Sequence, residues 1–129
     1  MTRLLLICLG GALGTGLRYV VTGAAAHWLG ADFPHGTLIV NLLGSFLIGL
    51  VQQVGTTTLV IPDTVRLFLT VGMLGGFTTY SAFSYETIRL AEFGAWQEAG
   101  INVVVTTLLS LVLCFLGIAA GRTLVTLRG

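Results

Sequence analysis

Charge is what this chain has least of. Lysine is absent, so all six basic residues are arginine, and charged side chains make up only 9% of the 129 residues while hydrophobic ones make up 55%. A chain built this way cannot cover a water-soluble surface, so its solvent is expected to be lipid. Cysteine is scarce as well. Cys8 and Cys114 fall in apolar runs with no Cys or His nearby, which excludes a disulfide framework or a zinc site and leaves two small buried hydrophobes as the expectation. The two histidines, His27 and His35, lie around one short polar stretch without metal-ligand spacing. No nucleophile stands in recognisable relation to a base, so an enzyme is the least expected class. No nucleic-acid partner is expected either.

What is present is apolar length. Four runs are each long enough to cross a hydrocarbon core as a helix, which takes about 20 residues: about 4–29, 36–54, 65–90 and 96–124. The punctuation between them is short, namely Gly30 to His35, Gln52 to Asp63, and Glu92 to Gly94. No such loop can hold a soluble domain, so function must lie within or between the helices. The first run follows Arg3 and could be a signal peptide, but it continues past the usual h-region of roughly 7 to 15 residues and carries Arg18 in its middle, which favours a mature span. Four crossings gather Arg3, Arg66, Arg122 and Arg128 on one side and only Arg89 on the other. The positive-inside rule then places both termini in the cytoplasm.

Small residues recur at the spacing that lets helix backbones touch in lipid. Gly10 and Gly14, Ala12 and Gly16, Gly44-Ser45 and Gly49, and Gly117 and Gly121 all follow it. Each can be a packing contact and nothing more. Together they predict tight helix packing, and a four-helix chain too thin to enclose much predicts an oligomer.

Polar residues at membrane depth carry a functional hypothesis by default. Asn41, in the second run, offers two amide donors to an anion, or equally an interhelical clasp. Arg18 keeps its proton and needs a carboxylate, carbonyls or an anion, or a route to the interface. Glu86 reaches into the bilayer or sits near a helix end. Pairing within the fold is expected for both. In the fourth run Asn102, Thr106, Ser110 and Cys114 repeat every four residues and put a polar stripe on one face, which suggests a wet or ion-bearing track. The sequence GMLGGFTTYSAFSYE, from Gly72 to Glu86, interrupts the third run. Gly75-Gly76 followed by Thr78-Thr79 is poor helix. A break at that depth is tolerated where it lines a cavity, and its freed carbonyls are natural cation ligands. Tyr80 and Phe83 share a face if helix resumes, with ring edges that favour an anion or ordinary packing as the alternative.

Three stretches carry a resemblance that covers essentially the whole chain: GTGLRY at 14–19, GTLIVNLLG at 36–44 and GGFTTYSAFSYE at 75–86. The last resembles the GGxTTFSTFSxE signature of the Fluc/CrcB family of fluoride channels. The resemblance implies an all-α membrane protein of four transmembrane helices with a break in the third, assembled as an antiparallel dual-topology homodimer. It further implies two fluoride pathways and a central structural sodium ion. By position, Gly75 and Thr78 would give the carbonyls that hold sodium and Asn41 would donate to fluoride. Tyr80 and Phe83 would form the aromatic box, Thr106 and Ser110 would lie along the polar track, and Arg18 would match the helix-one arginine, with Thr79 and Glu86 in supporting roles within the signature. The implied function is passive export of fluoride across the bacterial plasma membrane.

Two features depart from the family pattern. Tyr80 stands where Phe is usual, which puts the permeation rate in question. The arginine asymmetry fits poorly with equal insertion in both directions, so the chain could be one half of a heterodimer with a homologous second subunit. A small multidrug exporter would also be a four-helix antiparallel dimer, but its helix one would carry an acid, and this one has none. A non-transporting assembly protein would leave the polar stripe and the interrupted third run without purpose.

Overall fold

The computed structural model describes residues 1–57 and 61–128, and every described element is helical. Helix α1 spans Thr2–Leu29 and α2 spans His35–Thr57. The polar stretch expected from Gln52 to Asp63 is helical as far as Thr57, and its residues 58–60 lie outside the described ones. The third run is composite: α3 (Asp63–Leu67), a π-helical stretch (Phe68–Leu74), α4 (Gly75–Phe77) and α5 (Tyr80–Glu92). Helix α6 runs unbroken over Trp96–Arg128. Among the described helices, α1, α2 and α6 are each long and apolar enough to cross a membrane. The chain is a multi-pass membrane protein.

Local chemistry sets the turns. Gly94 takes φ of 82° after α5, donating to Ala91 O at 3.0 Å while Ala95 N–H reaches Leu90 O at 2.8 Å. This paired closure satisfies the last carbonyls of α5 and turns the chain directly into α6.

Packing follows the small residues. Helices α2 and α6 meet so closely that a Cβ on Gly49 would strike Cys114 O, and one on Gly117 would strike Phe46 O. Helix α1 lies against the π stretch and α4 in the same way, with Gly14 facing the Met73 carbonyl and Gly76 facing Gly11 O. Close backbone contact replaces the hydrophobic drive that lipid cannot supply. The interior is correspondingly thin. Ala25, Val40, Phe77, Phe83 and Ala99 are its buried hydrophobic residues, while leucines, valines and both tryptophans stay exposed along the helices. Cys8 belongs to that exposed set and Cys114 is half-buried, so the expected burial of both thiols does not hold within one chain.

The interruption was expected over Gly75-Gly76 and Thr78-Thr79, and the backbone leaves helix at the threonines alone. Gly75 is helical, with φ −61° and ψ −39°. Thr78 and Thr79 are extended instead, at φ −89°, ψ 158° and φ −155°, ψ 112°. The physical reason is that Gly76 packs against α1, whereas a side chain, Asn41, takes the Thr79 N–H that helix would otherwise use; Thr78 N–H keeps its helical bond to Leu74 O.

Candidate ion pathway

Three side-chain arrangements hold the Thr78–Thr79 interruption open. Asn41 on α2 accepts the Thr79 N–H through Oδ1 at 2.8 Å and donates from Nδ2 to Thr79 O at 3.1 Å. This pairing fixes the orientation of the amide, because only an oxygen can accept the N–H. Thr79 Oγ1 caps α5 by accepting the Ala82 N–H at 3.2 Å, the usual service of an N-cap hydroxyl. Arg18 on α1 donates from Nε to Gly76 O at 3.0 Å.

The consequence is read by asking where each backbone group goes. In a continuous helix Thr79 N–H would close on Gly75 O and Ala82 N–H on Thr78 O. Both amides bond to side chains here. The carbonyls of Gly75 and Thr78 thereby lose their helical partners, as do those of Phe77 and of Gly76, which takes Arg18 Nε instead; freed carbonyls are oxygen donors of the kind that unwound membrane segments offer to sodium. The residues present fit a small hard cation on that chemistry.

A cavity of about 430 Å³ opens at the same place, lined by Asn41, Ser45, Gly75, Thr78, Thr79, Tyr80, Phe83, Thr106 and Ser110 among others. Of the site residues the family resemblance implies, Arg18 and Glu86 lie outside it. Arg18 is one turn of contact away, on the Gly76 carbonyl. Glu86 lines a separate cavity of about 140 Å³ with Thr22, His35 and Thr37. The intramolecular pairing expected for Arg18 is met by a carbonyl and that for Glu86 by the Thr37 hydroxyl, its buried Oε1 having no partner among the described residues.

The lining is chemically graded. Phe83 is buried and Tyr80 exposed, their ring centroids 5.4 Å apart and their planes at 63°, so edge meets face rather than face meeting face. Ser110 Oγ is buried without a hydrogen-bond partner among the described residues, a free donor on the cavity wall. Thr106 differs, because its hydroxyl donates to Asn102 Oδ1 at 3.2 Å. Asn102, 2% exposed, donates in turn to Thr87 Oγ1 at 2.9 Å, and Thr87 donates to Phe83 O at 2.7 Å. The polar stripe on α6 thus divides into a structural clasp at Asn102 and a cavity wall at Thr106 and Ser110, while Cys114 lines a different pocket. Thr87 was not singled out in the sequence, and Ser45 only as a packing residue. Thr87 stands one turn after Phe83, the position from which a threonine bonds back to its i−4 carbonyl, and that spacing was the available signal.

Membrane-crossing helices, an interrupted backbone and a mostly apolar cavity carrying a few convergent polar groups at that interruption define a small helical membrane protein. Comparison with known proteins narrows the class. The family model described as CrcB-like protein, Camphor Resistance (CrcB), matches residues 5–118. A fluoride-specific ion channel FluC of Anaeromyxobacter sp. (strain K) is 47% identical over 115 residues, covering 89% of this chain and 91% of its own length. The protein of the same name from Geobacter metallireducens is 45% identical over 124 residues, 96% of this chain and 100% of its own. This chain belongs to the CrcB family.

Proposed function

We propose that the protein is a fluoride-selective channel, and not an enzyme, that lets fluoride leave the cytoplasm down its electrochemical gradient. The observation that carries the reading is the single cavity that gathers Asn41, Tyr80, Phe83, Thr106 and Ser110 beside the interrupted backbone, in a chain whose relatives bear the name fluoride-specific ion channel. Fluoride is small and tightly hydrated, so a pathway must replace its water with many modest donors. One Asn41 amide hydrogen remains uncommitted among the described residues after Thr79 O is satisfied. The Ser110 hydroxyl is likewise free among them, and the aromatic pair offers ring edges. None of these groups is a fixed cation, so none traps the anion.

Sodium is proposed at the carbonyls of Gly75 and Thr78, where it would neutralise oxygen dipoles that helix no longer satisfies. The third run is proposed as a fourth, interrupted crossing, and the assembly as an antiparallel pair. A second subunit accounts for the open side of the cavity and for Tyr80, 79% exposed in the single chain. A heterodimeric arrangement is the second reading, favoured by the four arginines on one side against Arg89 on the other. The exporter reading is not favoured, since α1 carries no acid over Thr2–Leu29.

The test is current across a planar bilayer under opposed fluoride and chloride gradients. A reversal potential near the fluoride equilibrium value supports the proposal. One near the chloride value overturns it.

A further inference from the structure

One side chain in the pathway holds both backbone groups of Thr79, the second residue of the interruption. Asn41 takes the Thr79 N–H on Oδ1 and holds Thr79 O with one Nδ2 hydrogen, and the same amide lines the cavity assigned to fluoride. We infer that Asn41 is the positioning residue of the cation site as well as a donor in the anion path. The inference rests on the cation reading of Gly75 and Thr78 given above.

The argument is one of competition for a single donor. Thr78 and Thr79 are held extended, although the residues before them are helical through Phe77 and helix resumes at Tyr80. Helical closure would hand the Thr79 N–H to Gly75 O. Asn41 Oδ1 wins that hydrogen at 2.8 Å and leaves the Gly75 carbonyl without its helical amide. The second bond, from Nδ2 to Thr79 O, fixes the rotation of the peptide as well as its position. Helix α2 can bring Asn41 this close because Gly44, one turn on, faces Thr78 without a side chain of its own; a Cβ there would strike Thr78 Cγ2. Remove the amide and the segment is free to turn back toward helix, closing the carbonyl the cation would use. The two ends of the amide therefore do separable work: the oxygen makes the cation site, and the spare N–H serves the anion.

That separation makes the inference testable. Purified protein in detergent would be heated across a sodium chloride series, with N-methyl-D-glucamine chloride holding ionic strength constant, and the sodium concentration giving half-maximal protection recorded. The readouts are this midpoint and, in parallel, fluoride efflux from liposomes. Asn41→Ala should raise the sodium midpoint about tenfold, the effect of losing one good hydrogen bond, and abolish efflux. Asn41→Asp keeps an oxygen for the Thr79 N–H and loses every amide hydrogen; the lost bond to Thr79 O is offset by a carboxylate that favours a nearby cation, so the sodium midpoint should stay within about threefold of wild type while efflux is lost. Phe83→Ile, which touches neither carbonyl, should leave the midpoint in place. If Asn41→Ala protects at the wild-type sodium concentration, Asn41 has no part in the cation site and the inference falls alone. Should Asn41→Ala not yield folded protein, Asn41→Asp decides: a tenfold rise of its midpoint overturns the inference. A wild-type protein indifferent to sodium overturns the cation reading itself, and the inference with it.

Discussion

Ser110 and Thr106 stand one turn apart on α6 and line one cavity, yet they do not offer it the same thing. Ser110 Oγ has no partner among the described residues, while the Thr106 hydrogen is committed to Asn102. Loss of a free donor to an anion removes about 1.5–3 kcal/mol. Ser110→Ala should therefore lower fluoride flux about tenfold or more with little change in thermal stability. Thr106→Val should do the reverse: a smaller loss of flux and a destabilisation of about 1–3 kcal/mol, because it leaves Asn102 Oδ1 buried and unsatisfied. Flux and melting temperature measured on both variants check the pair, and equal flux losses would contradict the division. Phe83→Ile should suppress flux while the protein still elutes as the assembled species. A normally conducting Phe83→Ile variant would remove the ring edge from the pathway. At this scale the sequence was legible in type but not in direction. Asn41, Thr106 and Ser110 are conspicuous because polar side chains at membrane depth are expensive. Which hydrogen each one still has to give depends on neighbours from other helices, such as Thr79 and Thr87, that no local spacing identifies.

Elements are joined here through backbone contact, and that sets which changes they tolerate. Gly117 on α6 faces Phe46 O with no room for a methyl group. Gly117→Val should cost about 1–3 kcal/mol through overpacking and separate α2 from α6, read as a lower melting temperature and loss of the assembled species on size exclusion. Thr79→Val removes the hydroxyl that caps α5 and should cost about 1 kcal/mol. Unbroken apolar runs such as α6 could be drawn from composition alone, because length and hydropathy are local properties. The composite third run could not. Gly75-Gly76 advertises weak helix, yet both residues are helical and the chain opens two residues later, at Thr78-Thr79. Helix propensity was overridden there by α1, whose Gly11 and Thr15 sit against Gly76, and by Asn41, which offers Thr79 a better partner than its own helix does. The π stretch before it, Phe68–Leu74, has no sequence signature of comparable clarity.

For the whole molecule, the thin interior matters most. With so few apolar side chains buried and so many exposed, one chain cannot by itself enclose the cavity at Thr78-Thr79. The proposed pair predicts a two-chain mass by light scattering after subtraction of detergent; a monomer that conducts fluoride would contradict it. The arginines themselves are read from the sequence, but placing Arg3, Arg66, Arg122 and Arg128 on one side rests on the proposed four crossings. The chain–chain arrangement was not legible there, because it depends on a surface with no partner in view. The measurement that tests the central claim most directly is fluoride efflux from proteoliposomes containing only this purified chain, followed by electrode after a potassium ionophore is added, with chloride efflux recorded in parallel. The account predicts rapid fluoride release without chloride. Release of both anions together would contradict it, as would fluoride retention both by this chain alone and after a homologous second subunit is added.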